Sequence, residues 1–217
     1  MLIAENDRPL SSGQRQQELG RIRRFVLDPT ELRRKQRQEQ ENAEHVSRIM
    51  KALPDAFIYE YDGIETGRQG VGCPGDELIR LKFHPNAAYD PPSRVEQVLT
   101  GMQGILLIDR QRERIAQIDG ILTKEVSFGW GILGHLDRGG HFLVEQTCMG
   151  NNHWEIARMG LKFTGKVLLF KTLNIQSNER FTDFRQVPSN LTFAQGVEML
   201  EKAQMVVEGG FQQAEKR

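Results

Sequence analysis

The sequence predicts an α+β protein: a curved antiparallel β-sheet, an open half-barrel laid out as a meander, with charged N-terminal helices and a C-terminal helix. Three observations lead there. Residues 1–53 carry helical spacing and dense opposite charge. Residues 55–186 switch to short runs of strand formers separated by turns. No helical pattern of useful length interrupts residues 99–187, so parallel crossovers are disfavoured and neighbouring strands are expected to pair antiparallel. The chain accordingly reads as a charged helical arm at 1–53, the remnant of a longer N-terminus, and a half-barrel domain with its C-terminal helix at 54–217.

In the arm, Ser11 followed by Gln14 makes a capping-box pattern, and Leu19, Ile22 and Val26 continue it at helical spacing. Asp28-Pro29-Thr30-Glu31 restarts a helix, with Asp28 as cap and Pro29 suited to the first helical position. Beyond it Leu32 is the lone strongly apolar residue up to Glu41. Glu31/Lys35, Lys35/Glu39, Arg37/Glu41 and Glu44/Arg48 set opposite charges four apart, each pair worth ~0.3 kcal/mol on an exposed surface. Such a helix belongs in water. Ala43, Val46, Met50 and Leu53 then form a stripe expected to dock, and Pro54 is expected to end the helix.

The strand region opens with Phe57–Tyr61 and Glu77–Phe83, joined by a glycine-rich turn from Gly67 to Gly75. After the proline-punctuated stretch Pro85–Pro92 comes Gly104–Asp109, and Arg110–Glu113 reads as a strand-to-strand tip. Ile118, Leu122, Val126 and Phe128 then fall on one face, and Gln117, Asp119, Thr123, Glu125 and Ser127 on the other. His141–Met149, a Gly150-Asn151-Asn152 turn, Trp154–Phe163, Val167–Phe170 and Phe181–Val187 complete the series. From about residue 190 a helical period returns: Thr192 can cap, and Phe193, Val197, Leu200 and Val207 are expected to pack on the sheet.

Composition narrows the function classes. The 217 residues hold 29 Lys+Arg and 29 Asp+Glu, a net charge of zero, which argues against a protein that coats nucleic acid. Arg33-Arg34-Lys35-Gln36-Arg37 is flanked by glutamates and lacks interleaved aromatics, so no nucleic-acid partner is assigned. No stretch reaches the roughly 18 apolar residues of a membrane helix, so the chain is read as not membrane-spanning. Two cysteines, Cys73 and Cys148, exclude a disulfide scaffold; whether they pair is open, and pairing requires an oxidising compartment.

Catalytic motifs fail on their context. Gly129-Trp130-Gly131-Ile132-Leu133-Gly134 matches a dinucleotide fingerprint, but Gly139-Gly140 arrives too soon for the helix that would bind pyrophosphate. Gly160–Val167 resembles a phosphate loop, but Val167 stands where the magnesium-binding hydroxyl belongs. His135, Asp137 and His141 are the closest metal-like grouping, and they read as surface residues. Cys148 has no activating neighbour, and Asp119 and Glu125 fall on the solvated side. No catalytic residue, metal or cofactor is assigned, and the chain is read as non-enzymatic.

What remains is apolar surface. The concave face is expected to offer Ile105, Leu107, Ile118, Leu122, Val126, Phe128, Phe142 and Val144 to a ligand, with Trp130, Ile132 and Leu133 on a rim loop. At about 25 cal/mol per Å², an uncovered concavity is costly unless a helix, a partner or a ligand fills it.

Several segments carry a resemblance. Ala56-Phe57 with Gly63, Phe83-His84-Pro85-Asn86, Gly101-Met102-Gln103-Gly104, Leu107-Ile108-Asp109, Phe128–Gly134, Leu143-Val144-Glu145-Gln146, Trp154-Glu155 and Phe181-Thr182-Asp183-Phe184 resemble a family of exported bacterial proteins. That family in turn is similar, in architecture and strand pattern, to the lipoprotein-carrier and lipoprotein-sorting superfamily of open half-barrels. The first similarity covers about residues 2–187. The resemblance implies a periplasmic protein handling a lipid or a lipoprotein acyl chain, without catalytic residues. An alternative is a structural or interaction module that meets an envelope protein through the charged arm. Family members begin with a secretion signal and further strands, whereas this chain starts at Met1-Leu2-Ile3-Ala4-Glu5 in mid-pattern, which predicts a truncated start.

Overall fold

A computed structural model describes the chain except for residues 1, 7, 130–132, 151–152, 168–170, 189 and 203–217. It divides into two compact units, residues 1–44 with 185–217, and residues 45–184.

In the first unit, β1 (Ala4–Glu5) and β2 (Arg8–Pro9) form a small hairpin. Helix α1 (Ser12–Leu27) starts at the predicted capping box: the Gln14 N–H donates to Ser11 Oγ at 3.3 Å, and the Ser11 N–H to Gln14 Oε1 at 2.9 Å. Asp28 separates α1 from α2 (Pro29–Ala56), accepting at Oδ1 from the Thr30 N–H at 2.8 Å and the Glu31 N–H at 3.2 Å. Of the expected charge pairs, Lys35 and Glu39 meet. Residues 193–202 are helical, with reciprocal bonds between Thr192 and Gln195 closing their N-terminus. They belong to the unit of α1 rather than to the sheet: Arg23 Nε donates to Glu201 Oε1 at 2.6 Å, and Val197 is buried while Phe193 and Leu200 are exposed. Val207 lies outside the described residues.

The second unit opens with the last turns of α2, which run past Pro54 to Ala56. A proline in a last turn forfeits one hydrogen bond, and the carbonyls left over are met from the sheet side. The Tyr59 hydroxyl donates to the Leu53 carbonyl at 2.8 Å. Asn86 Nδ2 donates to the Asp55 carbonyl at 2.9 Å, and the Asn86 N–H to the Ala56 carbonyl at 2.8 Å. The chain then passes directly into β3 (Phe57–Thr66). The stripe that packs is Ile49, Ala52, Leu53 and Ala56; of the expected stripe Leu53 docks, while Ala43, Val46 and Met50 stay exposed.

The sheet continues through β4 (Glu77–Pro85), one helical turn α3 (Arg94–Gln97) with a 3-10 turn, β5 (Met102–Asp109), β6 (Arg114–Leu122), β7 (Val126–Phe128), β8 (Gly134–Leu136), β9 (His141–Cys148), β10 (Trp154–Val167) and β11 (Lys171–Arg180). Every pairing between these strands is antiparallel. β6 and β7 act as one bent strand, and β8 and β9 as another, because β10 pairs with β9 along Trp154–Lys162 and with β8 along Gly165–Val167. The order is therefore the predicted meander. The sheet is open, with β3 and β11 as its edges. Bulges at Tyr61/Gly63, Leu107/Ile108 and Ile156/Arg158 add local bend.

The last strand differs from expectation. It lies at Lys171–Arg180, whereas 181–187 carry no strand. Lys171-Thr172-Leu173-Asn174-Ile175-Gln176 is too polar to announce itself, and it is tolerated because it forms an edge that few side chains cover.

Candidate functional site: a half-covered sheet face

Residues directly opposite in an antiparallel ladder share a face, so the register assigns every side chain. One row runs Tyr61, Leu81, Leu106, Ile118, Val144, Met159 from β3 to β10. A neighbouring row runs Tyr59, Phe83, Gly104, Gly120, Phe142, Leu161, and a third Ile64, Ile79, Ile108, Ile115. Glycine at 104 is required by closeness: a Cβ there would lie 1.9 Å from the Asp119 carbonyl oxygen.

This apolar face is covered unevenly. At one end Ile49, Ala52 and Leu53 of α2 close over Phe57, Phe83, Leu99, Met102, Leu106, Leu122 and Val126. Burial there pushes the Tyr59 phenol up to about 12. Toward the other end Leu81, Ile108, Ile115 and Ile118 are partly buried, and Tyr61 and Ile64 remain 69% and 49% exposed. Such a surface offers burial and dispersion contact to an apolar partner.

The opposite face is polar at its centre and capped at one side. Arg80 Nε and Lys82 Nζ reach Asp62 at 2.8 and 2.6 Å, and His141 Nε2 lies 2.7 Å from Asp119 Oδ1. The segment 67–75 folds over Leu78, Leu107 and Ala116 through Val71. A Cys73–Cys148 disulfide ties it to the end of β9, with the Gly72 N–H donating to the Gln146 carbonyl at 2.8 Å. Nearby Asp109 is fully buried and accepts from the backbone N–H of Gln111 at 3.0 Å and of Arg112 at 2.7 Å.

Ile118, Leu122, Val126, Phe128 and Phe142 all join the α2-side core, and Val144 stands on the same face by register. Ile105 and Leu107 do not. They share a face with Lys82 and Arg80, where Leu107 is buried under Val71 and Ile105 packs beside it. Leu133 is half-buried and donates its N–H to the Phe128 carbonyl at 3.2 Å, while Trp130 and Ile132 lie outside the described residues. Sequence reasoning missed Tyr61, Ile64, Ile79, Leu81 and Leu106. Residues 105–108 are apolar without a break, so alternation cannot choose a face; only pairing with Ile118 does.

No protein-family model matches the chain, and neither a curated protein nor a solved structure matches it. Fold and site together define a class: an open antiparallel sheet with one apolar face half-covered by its own helix. Among the described residues no helix is long and apolar enough to cross a membrane.

Proposed function

We propose that the chain is a non-enzymatic periplasmic carrier or chaperone-like protein that holds a lipid, a lipoprotein acyl chain or another apolar ligand against the half-covered face. The observation that carries this reading is the uneven cover, with Tyr61 and Ile64 exposed beside partly buried Leu81, Ile108, Ile115 and Ile118. The Cys73–Cys148 disulfide supports an oxidising compartment. Solvent extraction and mass spectrometry of the protein purified from such a compartment test the reading. An acyl compound is expected at near-stoichiometric amount; none bound, and none loadable, sinks it.

A second reading is favoured by a different observation: residues 33–48 of α2 are exposed all round, Val46 included. An envelope protein docked on this charged arm would be captured by the intact chain and lost when Ala43, Val46 and Met50 are replaced by lysine, whether or not a ligand is bound. Capture unaffected by these changes removes the arm as the docking element.

A further inference from the structure

The grouping of His135, Asp137 and His141 does not assemble: His141 turns to Asp119 at 2.7 Å, and Glu125 takes the third place. Ser127 pairs with His135 and Val126 with Leu136, so Glu125, Ser127, His135 and Asp137 project from the side of the β7–β8 hairpin away from Val126 and Leu136. Ladder bonds hold the donors in place: the Asp137 N–H donates to the Thr164 carbonyl at 2.9 Å, continuing the pairing of β8 with β10.

We propose that Glu125, His135 and Asp137 form a three-donor site for a borderline divalent transition metal, with Zn²⁺ the best fit. One ligand atom from each lies within 4.8 Å of the others, and His135 Nε2 is 3.3 Å from Asp137 Oδ1. Two ligands about 2.1 Å from one tetrahedral zinc stand about 3.4 Å apart, so this pair already has the required spacing. Glu125 is exposed, and rotation about its side chain brings its oxygen the remaining distance. An imidazole with two carboxylates favours zinc and its neighbours over calcium or magnesium, which take oxygen donors alone. Asp137 is oriented by a hydroxyl, Thr164 Oγ1 donating to its Oδ2 at 2.7 Å, and Ser127 Oγ donates to Glu125 Oε1 at 3.0 Å, which leaves the other Glu125 oxygen for the metal. Lys166 stands opposite His135 on β10 and is exposed, so its long stem carries the ammonium into solvent. With three protein donors on an open surface, the fourth position faces water. The other grouping of ligand-type residues, Cys73, Asp76 and Asp109, carries no such inference: its sulfur is in the disulfide, and Arg112 pairs with both carboxylates.

The proposal is independent of the carrier reading, because it concerns the other face of the hairpin. Calorimetric titration of the metal-free full chain with Zn²⁺ alone is expected to show one site, and Co²⁺ a four-coordinate visible spectrum. His135→Ala, Asp137→Asn and Glu125→Gln are each expected to weaken binding at least about tenfold. His153→Ala, which removes the comparable His153–Glu155 surface pair, is expected to leave it unchanged. Thermal unfolding reports whether each variant folds, and the exposed Glu125 keeps the test open if the His135 variant does not. Absence of Zn²⁺ and Co²⁺ uptake by the wild type, or equal uptake by a folded triple variant, overturns the proposal.

Discussion

Single side chains at the α2–β3 junction carry more than their share of the structure. Tyr59 and Asn86 satisfy carbonyls that the end of α2 leaves open, Tyr59 from β3 and Asn86 from just beyond the end of β4. The Asn86–Asp55 bond is exposed and the Tyr59–Leu53 bond half-buried, so Asn86→Ala is expected to lower the unfolding free energy by about 0.5 kcal/mol and Tyr59→Phe by about 1 kcal/mol, read from urea unfolding. Tyr59 also predicts a pH response. Its phenol ionises at about 12 in the folded chain, against the ordinary 10.0, because burial disfavours the phenolate. The unfolded chain therefore gives up this proton first, and the stability linked to neutral Tyr59 is intact below pH 10.0 and lost as pH rises toward about 12. Absorbance titration should show a late-ionising tyrosine that disappears in Tyr59→Phe; an unchanged titration would place the late group elsewhere. None of this was legible in the sequence, since Pro54 reads as a stop and nothing in the pattern links Asn86 to a helix end thirty residues earlier.

At the scale of elements, the disulfide is the tie between sequence-distant parts. It closes a loop with a separation of 75 residues, joining the β3–β4 connection to β9. Constraining that loop in the unfolded chain is worth about 4 kcal/mol in the chain-entropy account, so Cys73→Ser with Cys148→Ser is expected to lower unfolding free energy by roughly that amount. Denaturant unfolding under oxidising and reducing conditions measures it; equal midpoints would contradict the role given to the tie. The strands themselves were largely legible, because their apolar runs and turns fall at strand spacing. The polar β11 and the α2 docking stripe were not. β11 is recognisable only through its pairing with β10, and α2 offers two apolar stripes that meet at Leu53, Ala43/Val46/Met50/Leu53 and Ile49/Ala52/Leu53/Ala56, between which only tertiary packing decides.

At the scale of the molecule, the class of fold followed from what the sequence lacks, namely helices between strands, and the open antiparallel meander meets that expectation. The candidate site was legible only in part. Alternation placed Ile118, Leu122, Val126 and Phe128 together, because polar residues separate them; it failed for Ile105 and Leu107, which sit in a run apolar on both faces. The central claim is that the uncovered end of the α2-side face takes an apolar ligand, and equilibrium titration with a fluorescent fatty acid tests it most directly. Tyr61→Glu with Ile64→Glu places charge on that face at exposed positions, whereas Ile58→Glu with Ile121→Glu places it at exposed positions on the opposite face. The account predicts saturable binding that the first pair of substitutions weakens at least about tenfold, each buried charge costing more than 1.4 kcal/mol, and that the second pair leaves intact. No saturable binding, or equal loss from both faces, would contradict it.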